Sequence, residues 1–189
     1  MSVEAFVESY KFGPSYEDLS GTTWSPNPLN DMESVWWIAV FFLFTKDFNV
    51  IYKKKSEDGV QNLPDLTEYF NHRVSRVMKQ FRYTLRLFDE THTERTAALK
   101  SGLRFSRHFS TLHPAVSATT EWLNRAKTSL VGKYIHAEKT PERIDRQVAQ
   151  GVYEVFRTCF QEMADRADIE QYRVRIGVSI YEIVERWAR

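Results

Sequence analysis

Residues Val35 to Phe44 read VWWIAVFFLF, ten apolar residues in succession, and no other stretch of the chain restricts its folding as strongly. Left in water, such a run is a large apolar surface, so its burial has to be explained first. A membrane span needs about 20 apolar residues, whereas Lys46 and Asp47 end this run abruptly, so protein rather than lipid is expected around it. A short buried run can also be a strand. The lead-in Asn30-Asp31-Met32-Glu33-Ser34 favours a helix, with Asn30 or Asp31 as N-cap and Glu33 in the first turn facing the helix dipole. The expectation is a helix to about Thr45, apolar on every face and the most buried of the protein.

Enclosing such a helix takes a real core. The chain has 189 residues, 42% apolar, with 13 Phe, 9 Tyr and 5 Trp, which suits one domain, residues 1–189. Gly13-Pro14, Gly21, Pro26 and Pro28 punctuate residues 1–30, which read as an irregular lead-in to a helical 31–189. Residues 52–64, YKKKSEDGVQNLP, read as a charged, solvated loop, with Lys53 to Lys55 exposed. Leu66, Phe70, Val74, Val77, Phe81, Leu85 and Phe88 step by four and three, predicting an amphipathic helix over about 65–88. Arg73, Arg76, Lys79, Arg82 and Arg86 fall largely off that stripe.

Thr93 is placed to cap a helix through ERTAALKSGLRF, weakened at Gly102. His113-Pro114 opens the next, with Val116, Thr120, Leu123, Lys127, Leu130 and Tyr134 along its face. Thr140-Pro141 caps another, whose stripe is Ile144, Val148, Val152, Val155, Cys159 and Met163. Residues 169–187 read as a helix interrupted at Gly177. No hairpin or sheet is expected, and the fold class is mainly α.

The 26 basic and 25 acidic residues nearly cancel, so neither nucleic acid nor a membrane surface is an expected partner; the basic helix face reads as solvated. The single cysteine, Cys159, sits on an apolar stripe and reads as a structural thiol. With no internal disulfide to form, a reducing, cytoplasmic setting is expected, the nucleus remaining open. The opening MSVEAFVESY carries acids and lacks the basic start of a signal peptide.

His72, His92, His108, His113 and His136 form no His-x-x-x-His pair, and no Gly-x-Gly occurs among the seven glycines. Asp47-Phe48-Asn49 and His72-Arg73-Val74 are similar to the kinase triplets Asp-Phe-Gly and His-Arg-Asp, but the first follows the apolar run instead of preceding it. The second lacks the aspartate. No catalytic, cofactor-binding or metal-binding residue is assigned.

In its proper order, SGTTWSPNPLNDMESVWWIAVFFLF resembles the protein-kinase C-lobe where the activation segment ends and the central buried helix begins. More narrowly it resembles the fungal-type protein kinases of mushroom-forming fungi, with their Gly-Thr pair and a helix opening Asp-Leu-Glu-Ser followed by aromatic residues. The matching positions are Gly21, Thr22, Asp31, Glu33, Ser34, Trp36 and Trp37. A second stretch, LHPAVSATTEWLNRAKTSLVGKYIHAEK, resembles the tail of those proteins through its His-Pro opening, its leucines and its closing Tyr134-x-x-x-Glu138. Together they cover roughly a quarter of the chain.

The resemblance implies a helical C-lobe-like bundle around a central helix whose aspartate, Asp31, faces a catalytic loop. Glycine-rich loop, strand lysine, catalytic aspartate and metal-binding aspartate all precede the Gly-Thr pair in a kinase, and here twenty residues precede Gly21. The nucleotide-binding lobe is therefore read as absent. Three functions follow. The first is a kinase-like C-lobe without catalytic machinery, acting as a protein-binding or scaffold module through the surface the missing lobe leaves bare. The second is a fragment of an active ATP-dependent protein kinase whose other lobe lies upstream or on a partner. The third is an unrelated helical adaptor. Partner identity and oligomeric state stay open.

Overall fold

The computed structural model describes residues 2–7, 11–12, 23–50, 66–112, 114–117, 119–139, 144–169 and 174–188. A five-residue helix, α1 (Val3–Val7), occupies part of the stretch expected to be irregular. The apolar run lies in α2 (Pro28–Thr45). Its N-cap is Asn27, not Asn30 or Asp31. The Asn27 side chain accepts the Leu29 amide and the Asn30 side chain accepts the Asn27 amide, each at 3.0 Å. Two asparagines thus satisfy amides that a first turn leaves without partners, and Pro28 at the first position has no amide to satisfy. This reciprocal pair moves the start upstream of the position read from Asp31.

From α2 the chain enters β1 (Lys46–Val50), which pairs antiparallel with β2 (Val174–Ser179), Lys46 opposite Ser179 and Val50 opposite Val174. The ribbon corrects two expectations, that no sheet forms and that Gly177 interrupts a helix. Val174, Ile176 and Val178 alternate with Arg175, Gly177 and Ser179, a period of two that suits a strand and not a helix.

The remaining elements are α3 (Leu66–Leu87), α4 (Thr93–Lys100), α5 (Gly102–Phe109), α6 (Pro114–Ser117), α7 (Thr120–Ala137), α8 (Arg146–Ile169) and α9 (Ile180–Ala188). His92, not Thr93, stands at the N-cap of α4; its left-handed φ of 55° turns the chain out of α3. Asp89 Oδ1 holds that turn by accepting the His92 amide at 3.1 Å. The helix expected through Gly102 is instead two, because Ser101 is extended and its side chain caps α5 by accepting the Arg104 amide. Residues 52–64 and Thr140-Pro141 lie outside the described residues. Asp145 supplies a cap to α8 by accepting the Gln147 and Val148 amides.

The protein is mainly helical. α7 packs along α8, and α2 packs against α1, α3, α7 and α8. The core joins Trp36, Trp37, Val40 and Phe44 of α2 to Phe105 and Phe109 of α5, Leu123, Leu130 and Tyr134 of α7, and Val152, Phe156 and Cys159 of α8. A smaller cluster joins Val77 of α3 to Ile180 and Ile183 of α9. Two polar residues of α3 are buried with them: Gln80 donates to the carbonyls of Phe44 and Lys46 at 2.8 Å, and Thr84 to that of Phe44 at 3.2 Å. They satisfy carbonyls that the end of α2 leaves unbonded. Among the described residues no helix is long and apolar enough to cross a membrane.

Candidate functional site

α2 is not enclosed on every face, contrary to the expectation drawn from its composition. Trp36, Trp37, Val40 and Phe44 are buried, whereas Val35 is 47% exposed, Ile38 66%, Phe41 44% and Phe42 42%. Positions 35, 38 and 42 follow the three-and-four spacing of one helix face, with Phe41 beside them. The apolar surface continues onto α3. Phe41 meets Phe88 edge-on at 5.0 Å, and the half-exposed Leu85 lies one turn before Phe88. The outcome is a strip of partly exposed apolar side chains along one face of α2 that reaches the end of α3.

Behind the strip, the N-terminal end of α2 carries a buried polar cluster. Glu33 is fully buried and accepts three hydrogen bonds: the Val3 amide at 2.7 Å, Trp37 Nε1 at 3.0 Å and the Tyr134 hydroxyl at 3.0 Å. Burial pushes its carboxyl up, while these donors and the nearby Arg95 guanidinium pull it down. Arg95 is itself buried, 5.6 Å from the Trp37 ring and 5.9 Å from the Phe88 ring. Asn30 donates to both Tyr134 Oη and Glu4 Oε2.

Glu4 and Glu138 are both fully buried and interact with each other. Burial first, then hydrogen bonding with and repulsion from Glu138, push the Glu4 carboxyl up to about 9. The two carboxylates also hold the early backbone: Lys11 donates its amide to Glu4 at 2.7 Å and Phe12 donates its amide to Glu138 at 2.8 Å. Phe12 stacks on Tyr134 at 4.7 Å. The cluster therefore ties the first residues of the chain to α2 and to the end of α7. Its carboxylate oxygens face amides and hydroxyls, and among the described residues no group of His, Cys, Asp or Glu is arranged to hold a metal ion.

The residues singled out in the sequence separate into different roles. Glu33 and Trp37 are hydrogen-bonded to each other in this cluster, and Trp36 donates to the Leu123 carbonyl at 3.0 Å. Ser34 bonds back to the Asn30 carbonyl, and Asp31 is exposed in the first turn without acting as the cap. Gly21 and Thr22 lie outside the described residues. Glu4 and Arg95 were not singled out, because nothing in their local sequence distinguishes a buried charge from a solvated one, and Asn30 reads only as an N-cap. A scan against protein-family models and searches of characterised proteins and of solved structures found no match.

Proposed function

We propose that the chain is a protein-binding scaffold module, similar to the C-lobe of the fungal-type protein kinases and without catalytic machinery of its own. Its docking face is the outer face of α2, and its partner is an amphipathic helix. The observation that carries this reading is the row of Val35, Ile38, Phe41 and Phe42, four large apolar side chains 42–66% exposed on a helix that packs against α1, α3, α7 and α8. An amphipathic helix laid along such a strip buries its own apolar face.

The kinase likeness draws support from the placement of the two resembling stretches. They meet in space, since Tyr134 donates to Glu33 and accepts from Asn30. A helix in the position of α2, packed against α1, α3, α7 and α8, suits the axis of a C-lobe. A photo-crosslinking residue placed at Ile38 tests the docking face, with exposed Lys133 on α7 as the control position. A discrete adduct from position 38, lost in the presence of excess Ile38→Ala but not of excess Ile38→Asp, supports it. The same adducts from both positions overturn it. The non-catalytic part of the reading expects no saturable micromolar binding of magnesium-ATP by calorimetry; a micromolar isotherm would favour an active kinase fragment.

A further inference from the structure

Away from the α2 strip, the ends of α3 and α5 and the start of α4 surround an open hollow of about 220 Å³ lined by Tyr83, Arg86, Glu94, Arg104, Arg107 and His108. Three guanidinium groups share this small space with one carboxylate. Glu94 is 3.7 Å from Arg104 and 3.7 Å from His108 Nε2, so it offers only a long contact to each. Arg86 and Arg107 make no ion pair among the described residues. Burial first, then the nearby Arg104 and Arg86, push His108 down against the opposing pull of Glu94, so the ring is neutral at neutral pH. The lining thus carries three positive charges and one negative, a surplus of two. Like charges held together without a counterion disfavour one another. Part of the surplus is offset because Arg86 and Arg107 lie in the last turns of their helices, where the dipole is negative, but that supplies only about half a charge per helix.

His108 is buried, only 6% exposed, and meets Tyr83 edge-on at 4.9 Å. With Nε2 turned to Glu94, Nδ1 of the neutral ring is an acceptor, so His108 adds a neutral wall and no donor, and recognition rests on the three guanidinium groups.

We propose that this hollow binds a phosphate monoester carried on a protein side chain, a phosphoserine or phosphothreonine of a partner. The charge fits: a phosphate monoester carries about −1.5 to −2 at pH 7, which matches a surplus of two. The donor chemistry fits, because guanidinium groups bind phosphate oxygens in bidentate fashion. Size decides the carrier. A hollow of about 220 Å³ takes the phosphate and its ester carbon, while a nucleotide would stand largely outside; its openness lets a peptide backbone pass over the rim.

The test uses a labelled peptide bearing one phosphoserine, its unphosphorylated form, and inorganic phosphate as competitor. The expected result is saturable binding of the phosphopeptide, displaced by phosphate, with the unphosphorylated peptide at least about tenfold weaker. Arg86→Gln and Arg107→Gln each weaken binding by about tenfold, Arg107→Lys weakens it less, and Lys133→Gln leaves it unchanged. Both arginines are exposed, so their variants keep the wild-type melt. Independently of any variant, the His108 ring resonances of the wild-type protein shift as phosphopeptide is added. Equal binding of the two peptides, binding of free phosphate but not phosphopeptide, wild-type affinity in both glutamine variants, or unmoved His108 resonances overturns the proposal. None of these outcomes touches the docking of a helix on α2, whose test reads a different surface.

Discussion

The two faces of α2 are built from the same residue types and meet opposite fates. Trp36, Trp37, Val40 and Phe44 lie in the core, while Val35, Ile38, Phe41 and Phe42 are partly exposed. Apolarity alone does not choose between them. What differs is the polar framework on the inner side: Trp36 Nε1 reaches the Leu123 carbonyl, Glu33 accepts the Val3 amide and the Tyr134 hydroxyl, and Gln80 and Thr84 reach the carbonyls at the helix end. Each of these bonds works in only one rotation of the helix about its axis. The hydrophobic effect drives α2 inward without direction; the hydrogen bonds select which side leads.

The contrast is most severely tested by Trp37→Ala. The ring is nearly fully buried and its nitrogen partners Glu33, so the substitution should lower stability by about 3–5 kcal/mol in urea unfolding. An unchanged midpoint would show that the inner face does not hold the fold. Next comes the pH dependence of the polar framework. Glu4 holds its proton more tightly in the folded protein than in the unfolded chain, so the folded state binds more protons and stability falls as pH rises. For this group the fall begins above the ordinary carboxyl value of 4.5 and ends near the folded value of about 9. Its slope approaches about 1.4 kcal/mol per pH unit for one proton. Unfolding midpoints measured from pH 5 to pH 9 should decline, and Glu4→Gln should flatten the decline. A profile that rises over this range would contradict the carboxyl pair.

A smaller effect is expected at the cap. Asn27→Ala removes the acceptor of the Leu29 amide and should cost about 1 kcal/mol, whereas Asp31→Asn, exposed and not a cap, should stay within about 0.5 kcal/mol. If Asp31 proved the more sensitive position, the start of α2 would have to be reassigned. The smallest change in stability belongs to the outer face. Ile38→Asp, at a site 66% exposed, should leave the melt within about 0.5 kcal/mol while abolishing helix docking. A large loss of stability there would mean that the strip is part of the core after all.

How much of this could be read beforehand depended on how local the signal was. The stripe of α8 was legible because Val152 and Cys159 are buried and Ile144, Val148, Val155 and Met163 pack beside them, all at helical spacing. The stripe of α3 was legible at Val77, Phe81 and Phe88, which are buried or pack against buried clusters, but Leu85 is half-exposed and the neighbouring Gln80 and Thr84 are buried. Their burial is decided by the carbonyls of α2, which lie far away in sequence. The alternation in Val174–Ser179 is present in the sequence, but residues 169–187 read as one helix interrupted at Gly177. Of the polar cluster, Glu33, Tyr134 and Glu138 stood in the resembling stretches, while their convergence and the part played by Glu4 are tertiary facts. In the basic hollow, Arg86 belonged to a legible helix face, but its approach to Arg104 and Arg107 depends on the turn at His92 and the break at Ser101.

The pairing of β1 with β2 has a consequence for how the protein is made. Lys46 leaves the ribosome long before its partner Ser179. Phe12 and Glu33 likewise wait for Glu138 and Tyr134. A nascent α2 therefore waits for these distant segments without the elements that cover it, and such long-range closures are slow and expose apolar surface meanwhile. The helix that organises the finished molecule is the one most in need of protection while the molecule is being completed. A chain released before residue 174 would carry β1 as an unpaired strand edge beside it.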